Sequence, residues 1–413
     1  MNNIEKKIYN LVKNNVVVKN IIVNIYQTIF SFKGKIKGDI NTQLKVKVYD
    51  NTFFGFHDRQ SLNDSGLLLS HKESCKFING MGEATIGYFD IHKEENVFNT
   101  IGITKCCNYQ QGSLATWYSS DSIIFNDIEE SAPVTIIKDI NGKQLKKFPF
   151  HFFSLSDCKN LVTSIDFIDF GNGLPGYGYS SFESLTNPSF KKEASDFTVH
   201  DIVKGREVFR FTAKEAKDKS FNILKNGLEY FSHSSFSPDS KYVYFLFRSS
   251  NKMRNTSQLF VLSLDTQKII TLPTNGMVSH LSWLSNDKIV AYCNVIDNGN
   301  DGYFIFELNN EITSHCQLNI KDISADGHPH GVLLNDYEFY TDIYPNRERR
   351  QKLYKINIRD NICEELLSIY SPLGFRGVER VDFHPRLSSC KKYLTIDSSH
   401  SNCRSQIVVF LDE

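Results

Sequence analysis

The chain has 413 residues, 40% of them hydrophobic and 13% aromatic, and its 47 basic and 47 acidic side chains leave no formal net charge. This balance excludes a chain-wide field for nucleic acid, and no run reaches the roughly eighteen uninterrupted apolar residues of a membrane span. Length alone suggests two or three domains, a prior that yields if the chain repeats.

Residues 1–45 stand apart from the rest of the chain. Ile8, Leu11, Val12, Val18, Ile22, Ile25 and Ile29 recur at helical spacing, although Val16–Val18 and Ile21–Val23 are β-branched and weaken a helix. Nine lysines face only Glu5 and Asp39 in the first 47 residues. Three readings compete for residues 1–40: a helix packed on the rim of the main domain, a peripheral contact with an anionic membrane surface, or a disordered leader. Nine cysteines without disulfide or zinc spacing, and no cleavable leader, lead us to expect a cytoplasmic protein.

From residue 46 the chain repeats. Phe236-Ser237-Pro238-Asp239 through LFVLSL, His280-Leu281-Ser282-Trp283 through YFIFEL, His330 through LYKI, and His384-Pro385-Arg386 through QIVVFL follow one plan of strand, turn and strand. These units begin about fifty residues apart, the period of four-stranded propeller blades. Three earlier units start near Asp58, Gln111 and His151, making seven. The expectation is an all-β fold: a seven-bladed β-propeller over 46–413 with a partly helical extension over 1–45. The strand Leu44–Tyr49 is placed to pair with the last blade and close the ring, which leaves no unpaired edge.

The innermost strand of a blade lines the central channel. At the seven starts stand His57 with Asp58, Gln110 with Gln111, His151, His233, His280, His328 with His330, and His384, so seven of the twelve histidines share one level. A mouth ringed with imidazole suits a metal site or acid–base chemistry. His328 and His330 are one residue apart and point the same way on a strand. His71, His92, His200 and His315 lie away from the starts and read as surface or structural.

Second strands return to the same face, bringing Asn126, Asp127, Asp166, Arg248, Asp342, Asp397 and His400 near the mouth. Two long connections join them. One is GNGLPGYGY, whose Tyr177 and Tyr179 either pack or stack on a sugar ring. The other is PNRERR, whose Arg347, Arg349 and Arg350 are either a solvated loop or a bidentate carboxylate clamp.

The blade order, FSPDSK after His233, GMVSHLSW around His280, DGHPHGVL at 326–333 and VDFHPRLSSCKKYLTIDSSHS near the end resemble the oligogalacturonate lyase family and its bacterial relatives. FFGFHDRQSLN, QQGSLATW with IIFND, LPGYGY and YPNRERRQKLY extend that resemblance over about 50–413. It implies a seven-bladed fold, a manganese ion held by three histidines and a glutamine, and β-elimination on uronate-containing oligosaccharides. On this resemblance His280, His328 and His330 are the metal ligands and His233 the base. The glutamine's place is taken by Ala325, so Asp326, Gln110, Gln111 or a water would supply that oxygen.

In this reading a divalent metal, manganese by resemblance, neutralises the uronate carboxylate, His233 removes the C5 proton, and His384 or His57 protonates the leaving O4. Arg347, Arg349, Arg350 or Arg386 would hold the polyanion, with Arg349 close to the chemistry. His57, Asp58, Gln110, Gln111, Tyr177, Tyr179 and His400 would contact substrate. Two other functions compete: a non-catalytic glycan-binding or assembly protein of bacterial surface-polysaccharide synthesis, and a hydrolase using Asp58, Asp342 or Asp397.

Overall fold

Aromatic and β-branched runs of eight to ten residues, cut by Asp, Asn, Gly and Ser turns, drive each unit into antiparallel strands. A computed structural model describes residues 28, 30–36, 38–179, 195–251, 253–309, 312–320, 323, 326–331 and 335–412. It contains seven antiparallel sheets in chain order, the blades of a β-propeller. Blade 4 is representative: Leu228–Phe236, Tyr242–Ser250, Asn255–Ser263 and Ile269–Thr271, paired in sequence from the channel outwards.

Because blades stack face to face, their middle strands are covered on both sides and read as continuous apolar runs. Asn255–Ser263 is buried at every position after the first. Phe197 of blade 3 stacks on Phe245 of blade 4 at 3.9 Å between centroids. Each fully buried side chain of this size contributes about 1.5–3 kcal/mol.

Closure follows the expected route. Val46–Asp50 pairs antiparallel with Ser405–Phe410, Val46 opposite Val409 and Asp50 opposite Ser405, as the outermost strand of blade 7. Tyr49, Leu62, Leu68, Phe89, Ile91 and Val408 then form one core cluster across the join between first and last blades. Just before it, Ile40–Thr42 adds a fifth strand to blade 6 against Ile362–Tyr370. Residues 30–36 are helical. The helical spacing expected from Ile8 to Ile29 and most of the membrane contact expected for 1–40 fall on residues 1–27 and 29, outside the described residues. Among the described residues no helix is long and apolar enough to cross a membrane.

In blades 1 and 3 the innermost strand reduces to isolated bridges, Phe53 to His71, Leu62 to Leu68, and Leu155 to Val162. These irregular inner segments carry His57 and His151. The channel wall is thus least regular where its polar residues sit.

Candidate metal centre and channel mouth

The inner strands aim their histidines by breaking their own ladders. In blade 4 the register shifts between Ser232 and Ser235, and in blade 5 between Val278 and Leu281, so His233 and His280 each sit in a bulge that re-aims the side chain. His233 and His384 also hold φ of 44° and 48°, a region that costs a residue with a Cβ roughly 1–3 kcal/mol. Strain of this size is retained where surrounding structure imposes it, which directs attention to the channel.

At the centre stands Phe56. Its ring lies 4.4 Å from His57, 5.0 Å from both His233 and His384, 6.1 Å from His328 and 6.3 Å from His280. The imidazoles also meet one another, His280 and His328 at 4.0 Å and His328 and His384 at 4.3 Å. Five of the expected ring histidines therefore converge, all buried.

Carboxylates behind the ring orient it. Asp342 accepts hydrogen bonds from the His328 backbone N–H at 2.7 Å, His328 Nδ1 at 2.8 Å, and the N–H groups of Phe383 and His384 at 3.1 and 3.3 Å. One buried carboxylate thereby ties the His328 imidazole to the backbone of His384 in the next blade. Asp326 does the same for His280, meeting Nδ1 at 3.1 Å while accepting from Ser279 Oγ at 2.6 Å. With Nδ1 committed to a carboxylate, the proton sits there and Nε2 offers its lone pair inwards.

Those inward atoms lack partners. Among the described residues, His328 Nε2, His384 Nε2, both His57 ring nitrogens, His233 Nδ1 and Asp382 Oδ1 are buried without a hydrogen bond. Each such orphan costs about 1–3 kcal/mol, so their concentration calls for a ligand. One ligand atom from each of His328, Asp382 and His384 lies within 4.8 Å of the others, close enough to hold one metal ion. Two imidazoles and a carboxylate suit a first-row divalent ion.

Burial first, then the neighbouring imidazoles and arginines, depresses His57, His233 and His384 well below the usual histidine value, keeping them neutral. Burial also opposes a charge on His328, but Asp342, Asp382 and Asp326 outweigh it and raise that group. His328 is the ring position most favourable to positive charge.

His330 directs its Nδ1 to the carbonyl of His57 at 2.9 Å and lies outside the cluster of His328, Asp382 and His384. Of the expected metal ligands His280, His328 and His330, the structure brings His280 against His328 and places His328 in the cluster with Asp382 and His384. His151 is bonded to the Asp127 carbonyl at 2.9 Å and packs on Phe167 and Tyr179.

The remaining expected site residues divide sharply. Tyr177 reaches the ring, 5.5 Å from His233, whereas Tyr179 is 1% exposed, stacked on Phe167 and bonded to Asn126. Gln111 is buried with both amide atoms unpartnered, and Gln110 donates to the Val378 and Arg380 carbonyls. Asp58 pairs with Arg59 at 2.8 Å, and Arg386 with Asp397 at 2.9 Å, in buried ion pairs. His400 is bonded to Ser398 Oγ.

Within PNRERR, Arg349 donates to Ser371, Pro372 and Phe375, and Arg350 to Gly34, Gly38 and Ser368. Arg347 is exposed, its guanidinium 5.3 Å from the Phe30 ring. The first two guanidinia hold backbone, not the mouth.

Arg349 instead anchors residues 371–382, a strap running from blade 6 across the mouth. Its Val378 and Arg380 carbonyls meet Gln110, Val381 meets Gln351, and Glu379 meets Arg404. The strap ends in Arg380 and Asp382, bonded to each other at 2.7 Å, and Arg380 also donates to Tyr177 Oη at 3.0 Å.

Sequence reading passed over Phe56, Arg380 and Asp382. A signal existed for Asp382: Asp382-Phe383-His384 repeats the one-residue spacing that singled out His328 and His330. For Phe56 and Arg380 no periodicity distinguishes them from other aromatics and arginines.

No protein-family model matches the chain, and no curated protein matches it in sequence. Among solved structures, an oligogalacturonate lyase in complex with manganese superposes with a TM-score of 0.60 at 11% identity, covering 91% of this chain and 95% of that one. An oligogalacturonate lyase from Vibrio parahaemolyticus gives 0.57 at 11% identity, covering 91% and 99%. At such identity the likeness is one of fold: this chain has an oligogalacturonate-lyase-like propeller.

Proposed function

We propose that the channel mouth acts on an acidic, uronate-containing oligosaccharide by metal-assisted β-elimination. The observation that carries this reading is the buried trio of His328, Asp382 and His384, whose Nε2, Oδ1 and Nε2 atoms have no partner and whose ligand atoms cluster within 4.8 Å. These residues would hold the ion, with Asp342 orienting His328 from behind and His280 beside it. When bound, a divalent ion such as the manganese of the similar lyase structure would supply charge to neutralise the uronate carboxylate and acidify the adjacent C5 proton.

The chain's own groups do the rest. His233 is kept neutral by burial and offers an unpartnered Nδ1 as a base. His57, with both nitrogens unpartnered across Phe56, is the group to relay to the departing oxygen the proton that His233 has taken. The three aspartates of the hydrolase reading are otherwise engaged: Asp342 by His328 and His384, Asp397 by Arg386 and the Phe54 and Gly55 N–H groups, Asp58 by Arg59.

The test is metal content and product formation on one preparation. Purified protein should carry about one divalent ion per chain, and uronate oligosaccharides should yield an unsaturated product absorbing in the ultraviolet. D382N and H384A should lose the ion. Loss in H330A with retention in D382N would move the centre to His280, His328 and His330. Glycan binding without product would replace the lyase by a binding protein.

A further inference from the structure

We infer that Arg380, carried into the mouth by the 371–382 strap, is the guanidinium that grips the carboxylate of the ligand and sets the preference for acidic over neutral sugars. This inference rests on the acidic-oligosaccharide reading above and supplies its specificity residue.

Arg349 and Arg350 direct their N–H groups to backbone carbonyls and serine hydroxyls. Arg386 is saturated by Asp397, Thr395 and Gly55 and is 1% exposed. Arg404 lies 3.4 Å over the Tyr109 ring and donates to the strap carbonyls of Glu379 and Arg380. Arg248 is buried, bonded to Ser232 Oγ and the Val278 carbonyl. Each of these holds the scaffold.

Arg380 differs in partners and in access. Nε meets Asp382 and Nη2 meets Tyr177 Oη, both groups of the mouth, while Nη1 has only a 3.4 Å contact with the Gly377 carbonyl. Its side chain is 28% exposed, where Asp382 and His328 are each 1% exposed. Arg380 therefore links the solvent-accessible side of the mouth to the buried trio through Asp382. A planar fork with one arm underused, fixed by a carboxylate on one side and a phenol on the other, is preorganised for bidentate capture of a carboxylate.

The surroundings make this placement selective. Asp382, Asp326 and Asp342 bring three carboxylates to the site, against which the divalent ion and Arg380 together would supply the positive charge that an anionic ligand requires. The strap is fixed at four points, by Arg349, Gln351, Gln110 and Arg404, so the fork is presented rigidly and little ordering remains to be done on binding.

The experiment is calorimetric binding of trigalacturonate, a glucuronate-containing tetrasaccharide and neutral maltotriose to the full chain, as wild type, R380Q and R380K. Bound divalent metal and thermal midpoint are measured on the same samples. Wild type should bind at least one uronate oligomer and not maltotriose. R380Q should weaken that binding about 10- to 100-fold, the range for a charge-assisted hydrogen bond, with metal content unchanged, and R380K should fall between. If R380Q does not fold, R380K decides: weaker binding at an unchanged midpoint supports the inference, and wild-type affinity overturns it. Wild-type uronate binding with R380Q equally tight overturns the inference alone and leaves the function standing. No uronate binding by wild type overturns both.

Discussion

The blade interfaces and the channel mouth are made by the same strands and obey opposite rules. Between blades 3 and 4, Phe197, Phe231, Phe245 and Phe260 bury apolar rings against one another with regular pairing. At the mouth, the inner strands bulge, two histidines take positive φ, and imidazole and carboxylate atoms are buried without partners. Among the described residues most of the buried polar atoms without a hydrogen bond gather at the mouth, and the stability of the interfaces is what tolerates them.

Removing the base should separate the two regions most strongly. H233A is expected to lower turnover of a uronate oligosaccharide by about 10²–10⁴-fold while metal content and thermal midpoint stay near wild type. Steady-state rates beside elemental analysis check this, and an unchanged rate removes His233 from the mechanism.

The two regions should also fail differently under truncation. D342A strips the shared acceptor from His328 and His384 and is expected to cost about 3–5 kcal/mol, with loss of bound metal. F245A should cost a similar 3–5 kcal/mol through its cavity but leave metal binding intact. Denaturant unfolding with metal analysis reads both, and metal loss in F245A would show that the mouth depends on the whole core.

pH should act on the scaffold through a buried histidine away from the trio. Burial lowers His71 from 6.5 to about 4, and the ring is fully enclosed beside Ser113. The unfolded chain then binds the proton first as pH falls, so stability is complete above about 6.5 and declines down to about 4, by at most about 3 kcal/mol. H71Q should flatten that decline in urea titrations, and an identical slope would assign it elsewhere.

The smallest effects should distinguish the arginines of one loop. R349A removes bonds to Ser371, Pro372 and Phe375 and is expected to cost about 2 kcal/mol, with faster hydrogen exchange across 371–382. R347A, at an exposed position, should stay within about 0.5 kcal/mol. Equal effects would mean the strap is not held by Arg349.

The seven blades, their phase and the closing strand were legible from residue order, because each depends on local alternation and turn chemistry recurring about every fifty residues. Local phase likewise put His57, His233, His280, His328 and His384 at inner-strand starts, so their convergence followed once the ring was assumed closed. Residue order was silent about which atoms meet across the ring. Asp382 joins His328 from the next blade, Phe56 fills the centre, and Arg349 and Arg350 turn to backbone while Arg380 turns to the mouth. These choices are made between segments far apart in sequence, where packing and hydrogen-bond competition act only after the propeller closes, and apart from the spacing of Asp382 and His384 no local pattern carries them.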